Sequence, residues 1–165
     1  MTNTKYAKIK FNDIVDGEGI CVSFWTQGCP FRCPGCHNPD TWDFNGGVEI
    51  PSDIKGQIIK ALSANGVQRN FSVLGGEPLC KENLDLVHSL IMAVRIAYPE
   101  IKIFVWSGFV IETLKKRAET NEKLADILKN IDVLIDGPFI QEERNITLKL
   151  RGSSNQRVLY RGQDF

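Results

Sequence analysis

The chain has 165 residues, 42% of them hydrophobic, and its 20 Lys and Arg side chains are matched by 20 Asp and Glu. That length and apolar content suit one domain with a proper core over residues 1–165. Balanced charge offers no basic face for nucleic acid or an anionic membrane surface, and no stretch approaches the roughly 20 apolar residues of a spanning helix.

Met1-Thr2-Asn3-Thr4-Lys5 is polar and leads to Lys8 and Lys10, unlike the apolar core of a secretory leader. Tyr6 to Asn12 reads as a short strand, and Asp13 to Gly19 as a tight turn. Val22, Phe24 and Thr26 then alternate with Ser23, Trp25 and Gln27, the period of a second strand. A Gly- and Pro-punctuated loop follows from Gly28 to Pro39, and Thr41 to Ile50 continues as loop with a turn at Asn45-Gly46-Gly47. Ser52 is the expected N-cap of a helix whose apolar face is Ile54, Ile58, Ile59 and Leu62, stopped at Asn65-Gly66.

Phe71 to Leu74 is the next strand and runs into Gly75-Gly76-Glu77-Pro78. A helix carrying Leu84, Val87, Leu90, Ile91 and Val94 ends before Pro99. Lys102 to Trp106 forms a strand that stops at Ser107-Gly108, and helical segments at Leu114–Ala118 and Leu124–Leu128 flank a break at Glu119-Thr120-Asn121. Ile131 to Ile135 is a last strand, ending at Asp136-Gly137-Pro138. This alternation implies βαβ units, an α/β fold and a mostly parallel sheet. Parallel strands bring the segments after them to one edge, where ligands bind in barrels and open sheets alike. A complete eightfold barrel takes about 250 residues, so an open, partial (β/α) barrel is expected, with a gap that admits a macromolecule.

The loop after the second strand holds Cys29, Cys33 and Cys36 at spacing C-x3-C-x2-C. Thiolates that close along the chain can hold an iron–sulfur cluster, and three ligands leave one metal position open for chemistry. The same loop also offers a Cys3His zinc set with His37, although neighbouring Cys36 and His37 reach one ion poorly. Cys21 or Cys80 brought near by folding would close the set instead. Five clustered cysteines argue against a disulfide framework and for a reducing cytoplasm.

Cys29, Cys33 and Cys36 followed by Gly75-Gly76-Glu77-Pro78 resemble the radical S-adenosylmethionine (SAM) superfamily. Within it, four stretches are similar to the activating proteins of anaerobic ribonucleoside-triphosphate reductase. They are Gln27 to Pro39, Gly75 to Leu79, Val105 to Phe109, and Asp136 to Phe139 with Arg151 to Gln156. The resemblance implies an oxidoreductase in which each of the three cysteines ligates one iron of a [4Fe–4S] cluster and SAM takes the fourth. Gly75 and Gly76 would then let backbone approach the methionyl group, Glu77 would accept from its amine, and Gly35, Cys36 and His37 would lie against the adenosyl part. Reductive cleavage would give methionine and a 5′-deoxyadenosyl radical, which would abstract hydrogen from a glycine of the large catalytic subunit of the reductase. Reduced flavodoxin or ferredoxin is the implied electron donor, and a homodimer is left open.

Ser107 and Asp136 are further candidates for holding SAM or a cation, with a turn-forming role for Asp136 the alternative. Trp25 and Trp106 read as core and wall, and Arg151 to Arg157 as a surface loop or a closing segment. Asp16 to Cys21 departs from the related Asp-Gly-Pro-Gly-x-Arg pattern, with Glu18 for Pro and Cys21 for Arg. Cys21 reads as a small buried hydrophobe, and Cys80 has no motif role. Competing functions are an activase for another glycyl-radical enzyme, a small-molecule radical SAM enzyme, a ferredoxin-like carrier and a zinc-stabilised binding module.

Overall fold

The computed structural model describes residues 3–165; Met1 and Thr2, which open the polar N-terminus, lie outside them. Strands β1 (Lys5–Asp13), β2 (Cys21–Thr26), β3 (Val48–Glu49), β4 (Asn70–Gly75), β5 (Ile103–Ser107), β6 (Val133–Asp136) and β7 (Arg157–Tyr160) form one sheet among the described residues. Its order is β3-β1-β2-β4-β5-β6-β7. The middle strands β2, β4, β5 and β6 are parallel, as the alternation of elements predicts. The flanking pairs β1–β2, β1–β3 and β6–β7 are antiparallel.

Period-2 patterning sorts each central strand into two faces. Val22, Phe24, Phe71, Val73, Ile103, Val105 and Leu134 join the main core with α1 (Ile54–Leu62), α2 (Leu84–Ala97), α3 (Ile111–Ala118) and α4 (Glu122–Asn130). Each fully buried Leu in that core, such as Leu90 or Leu114, contributes about 1.5–3 kcal/mol relative to exposure. The alternate residues Phe104, Val133 and Ile135 gather separately with Trp106, Leu150 and Val158. All six residues of β2 are buried, as expected of a parallel strand covered on both sides. Its polar members are satisfied in place: Ser23 donates to Asp13 (2.7 Å) and accepts from the Trp25 indole (3.1 Å), and Thr26 donates to the Leu74 carbonyl (3.1 Å).

Three local features differ from the sequence reading. Asp53, not Ser52, occupies the N-cap of α1, and no side chain caps it; a turn from the Pro51 carbonyl to the Ile54 amide (3.2 Å) brings the chain in instead. The break before α4 is a true cap, with Asn121 accepting from the Leu124 amide (3.1 Å). Strands β3 and β7 were not legible, because two exposed residues and a four-residue run are too short to display a period.

Candidate functional site

The C-terminal ends of the parallel strands meet as expected. The loop leaving β2 is irregular, so its backbone groups need partners other than a ladder. Gly28 donates to the Thr41 carbonyl (2.7 Å) and Cys29 to that of Trp42 (3.1 Å), closing the loop at its base. The buried Gln27 amide donates to the carbonyls of Asp40 (3.0 Å) and Asp43 (2.7 Å), a brace the sequence did not mark.

Cys29, Cys33 and Cys36 are free, half-buried thiols that line one cavity of about 150 Å³. Burial pushes the Cys29 and Cys33 thiols up, against hydrogen bonds from the Phe31 and Arg32 amides to Cys29 and from the Phe139 amide to Cys33. Cys36 sulfur accepts from the Asn38 amide (3.4 Å). Among the described residues, no three His, Cys, Asp or Glu side chains are drawn together as ligands of a single ion. His37 is exposed and tilts against the Phe139 ring at 5.4 Å. His37 does not line the cavity that the three thiols share, which disfavours the Cys3His zinc reading. Three thiols spread around one cavity suit a multi-iron cluster, which takes its thiolates on different irons. Cys21 and Cys80 are both buried and do not line that cavity; burial pushes the Cys80 thiol up to about 12.

Gly75, Gly76 and Glu77 line the same cavity. The turn they form is bonded to the root of the cysteine loop, Gly76 donating to Thr26 (2.9 Å) and Glu77 to Gly28 (2.9 Å). A side chain at Gly75 (φ 107°) would begin 2.7 Å from the Thr26 backbone, and one at Gly76 would strike the Gly28 carbonyl. Close backbone approach between the two loops therefore already requires both glycines. Glu77 is 1% exposed, and its carboxylate accepts from the Leu79 amide (2.9 Å), the Ser107 hydroxyl (2.8 Å) and the Gly108 amide (2.6 Å). Burial pushes its pKa up to about 7, against those bonds and the Arg117 charge. The carboxylate thus ties the end of β4 to the end of β5, a positioning role beyond the amine contact expected of it. Ser107 is held in that tie and also accepts from the Phe109 amide (3.1 Å).

Asp136 is fully buried and already partnered: it accepts from the Ile111 amide at the start of α3 (2.8 Å) and from the Arg157 guanidinium (2.6 and 3.0 Å). It is a structural anion on β6 and not a lining residue of the cavity. The 151–157 segment is a self-bonded turn rather than a plain surface loop. Arg151 donates to the Gln156 carbonyl (2.6 Å), and Asn155 and Gln156 donate to Pro138 (2.7 Å) and Gly137 (3.0 Å). Phe139 and Gln156, each the last residue of a stretch that carries the resemblance, complete the cavity wall.

A second cavity of about 490 Å³ shares Cys36, Asn38, Leu74, Trp106, Phe139 and Gln156 with the first, and Asp16, Trp25 and His37 line its far side. Gly35 lies exposed beside Gln141. Trp106 forms wall between the two spaces, its indole donating to the Leu150 carbonyl (2.6 Å). Trp25 lies beneath the ammonium groups of Lys8 and Lys10, 4.2 and 4.9 Å from the ring centroid.

Asp16, on the wall of this second cavity, pairs with the buried Asp13. Burial raises the Asp13 pKa, but bonds from the Asp16 carboxyl, Ser23 and the Asp16 and Val15 amides outweigh it and hold Asp13 at about 2. Burial first, then the bond to Asp13 and its charge, push Asp16 up to about 7, against Lys10 and Lys8. The folded chain keeps the Asp16 proton to higher pH than the unfolded chain, where 3.8 is usual. Its stabilising contribution is therefore complete below about pH 4 and is lost as pH rises through about 7. Asp13 acts in the opposite sense, its contribution being lost as pH falls towards 2. Asp16→Asn retains a donor to Asp13. It is expected to flatten the decline in stability between pH 5 and pH 8 and to add about 1 kcal/mol at pH 8. Urea unfolding of the iron-free chain at both pH values checks this; an unchanged slope would contradict the shared proton.

Residues 15–159 match the family described as a 4Fe-4S single cluster domain. An anaerobic ribonucleoside-triphosphate reductase-activating protein of Vibrio cholerae is 34% identical over 150 residues, covering 90% of this chain and 92% of that relative. The Escherichia coli protein of that name is 35% identical over 147 residues (88% and 92%), and that of Enterobacteria phage T4 is 33% identical over 155 residues (93% and 92%). The family match over residues 15–159 spans the cysteine loop and the strand-end turns described above. The chain belongs to the family of anaerobic ribonucleoside-triphosphate reductase-activating proteins.

Proposed function

We propose that this chain is a radical SAM activase, a single domain over residues 1–165 with an open, partial barrel. It generates a glycyl radical on the large subunit of anaerobic ribonucleoside-triphosphate reductase. The observation that carries this reading is the meeting of three free thiols and the Gly75-Gly76-Glu77 turn on one cavity at the ends of parallel strands. Cys29, Cys33 and Cys36 would hold the cluster, one iron each, leaving one iron for SAM. A cluster bound there would supply the electron, delivered from reduced flavodoxin or ferredoxin, for cleavage of SAM to methionine and a 5′-deoxyadenosyl radical.

The chain's own part is placement and exclusion of water. The Gly75-Gly76 turn presents backbone to the methionyl end, with Glu77 below it fixing Ser107 and Gly108. Cys36 and His37 border the adenosyl end, with Gly35 exposed on the loop before them rather than on either cavity wall, and Trp106 and Phe139 wall the reacting region from solvent. The second cavity gives a polypeptide segment a way in beside Cys36. Its lining includes Val15 and Ile146, 73% and 83% exposed, and Ile14, the chain neighbour of Val15, is 75% exposed. Apolar side chains left bare at the mouth of a cavity support a protein substrate.

The test is anaerobic loading with iron and sulfide, reduction with dithionite and addition of SAM. A SAM-dependent change in the electron paramagnetic resonance signal, with formation of 5′-deoxyadenosine, is expected. An electron carrier would give a cluster signal indifferent to SAM, and a binding module would take up zinc in its place; either result would overturn the reading.

A further inference from the structure

Asn83, at the N-cap of α2, is fully buried and belongs to no motif. Its side-chain amide donates twice: to the Gly28 carbonyl (3.2 Å), one peptide before Cys29, and to the Glu77 carbonyl (3.0 Å). Its oxygen accepts from Asn3 (3.0 Å), whose amide also donates to the Gln27 carbonyl (2.6 Å). Asn3 is itself fastened by its backbone amide to the Glu82 carbonyl (2.8 Å). Two adjacent peptide units at the root of the cysteine loop are thus gripped by side chains 24 and 55 positions away along the chain.

Helix capping does not require this arrangement. The Asn83 side chain makes no capping bond to α2, and its donors are turned towards the loops instead. A residue kept only for packing would leave an apolar side chain here, because a buried amide is costly unless its partners are held in place. Its two acceptors belong to the two loops whose residues line the thiol cavity.

We propose that Asn83 is a positioning residue that sets the spacing between the cysteine loop and the Gly75-Gly76-Glu77 turn, with Asn3 orienting its amide. The inference rests on the SAM reading above, because a molecule touching both loops at once senses their spacing directly. Small displacements of such supports cost large factors in binding and rate.

Asn83→Ala removes both donated bonds. In the reduced, iron-loaded protein, SAM affinity read from the electron paramagnetic resonance titration is expected to weaken about 10- to 100-fold at unchanged iron content. Release of iron to a chelator, which needs no SAM, is expected to be about tenfold faster. A purely structural role would lower the melting temperature of the iron-free chain and leave both readouts unchanged in the folded protein, which would overturn the proposal. If wild-type protein shows no response to SAM, the functional reading fails on its own, and iron release still decides for or against Asn83. Should Asn83→Ala not fold, Asn3→Ala keeps both donated bonds but frees the amide to rotate. A smaller shift in the same direction is then expected, and wild-type behaviour would overturn the proposal.

Discussion

Cys33→Ala is expected to abolish SAM cleavage while leaving the iron-free chain folded with nearly its original stability. Cys33 is half-buried on an irregular loop, and the hydrogen bond its sulfur takes from the Phe139 amide is a small part of the fold. Its removal should change unfolding free energy by no more than about 0.5 kcal/mol. Loss of one of three thiolates, by contrast, removes a ligand for which the described chain offers no nearby substitute, since Cys21 and Cys80 lie outside the cavity. Iron content, the reduced cluster signal and 5′-deoxyadenosine should all fall to background. Wild-type turnover in this variant would refute the ligand assignment. Cys80→Ala provides the opposite control, because that buried thiol contributes packing and should cost stability while sparing the chemistry.

Asp136→Ala should produce the reverse pattern, a large loss of stability that drags activity with it. The carboxylate holds the first amide of α3 and the Arg157 guanidinium of β7, so its removal leaves both without their buried partner. Breaking a well-bonded buried anion costs about 3–5 kcal/mol, and about 3 kcal/mol is expected here because the Arg157 side chain is 43% exposed and can take up water. Glu112 also pairs with Arg157, at 2.8 Å, but lies at the surface. Glu112→Ala should leave the urea midpoint almost unmoved. Equal midpoints for the two variants would contradict the structural role given to Asp136.

What could be read from the sequence was local. The β-branched and aromatic run Ile103-Phe104-Val105-Trp106 announces β5 within a residue of its bounds, and the apolar spacing of Leu84 to Val94 announces α2. Cys29, Cys33 and Cys36 stand close together along the chain, so their shared cavity follows from one loop. Gly75-Gly76 was legible as a site turn, but its tight fit against Thr26 and Gly28 needed the neighbouring strand in place. Asp136 looked like a turn-former or cation ligand because Arg157, its true partner, lies 21 positions later at a strand start that no period reveals. Asn83 escaped for the same reason, and Gln27 and Gln156, though they stand in stretches that carry the resemblance, gave no sign of what their side chains do. Each serves carbonyls of an irregular loop, and which carbonyls need serving is decided only when the sheet assembles.

The central claim is tested most directly by incubating the iron-loaded, reduced chain and SAM with the large subunit of anaerobic ribonucleoside-triphosphate reductase under strict anaerobiosis. Electron paramagnetic resonance should then show a glycyl radical on the reductase, dependent on SAM and absent with Cys33→Ala. SAM cleavage proceeding normally, with no radical on the reductase while another glycyl-radical enzyme gains one, would contradict it.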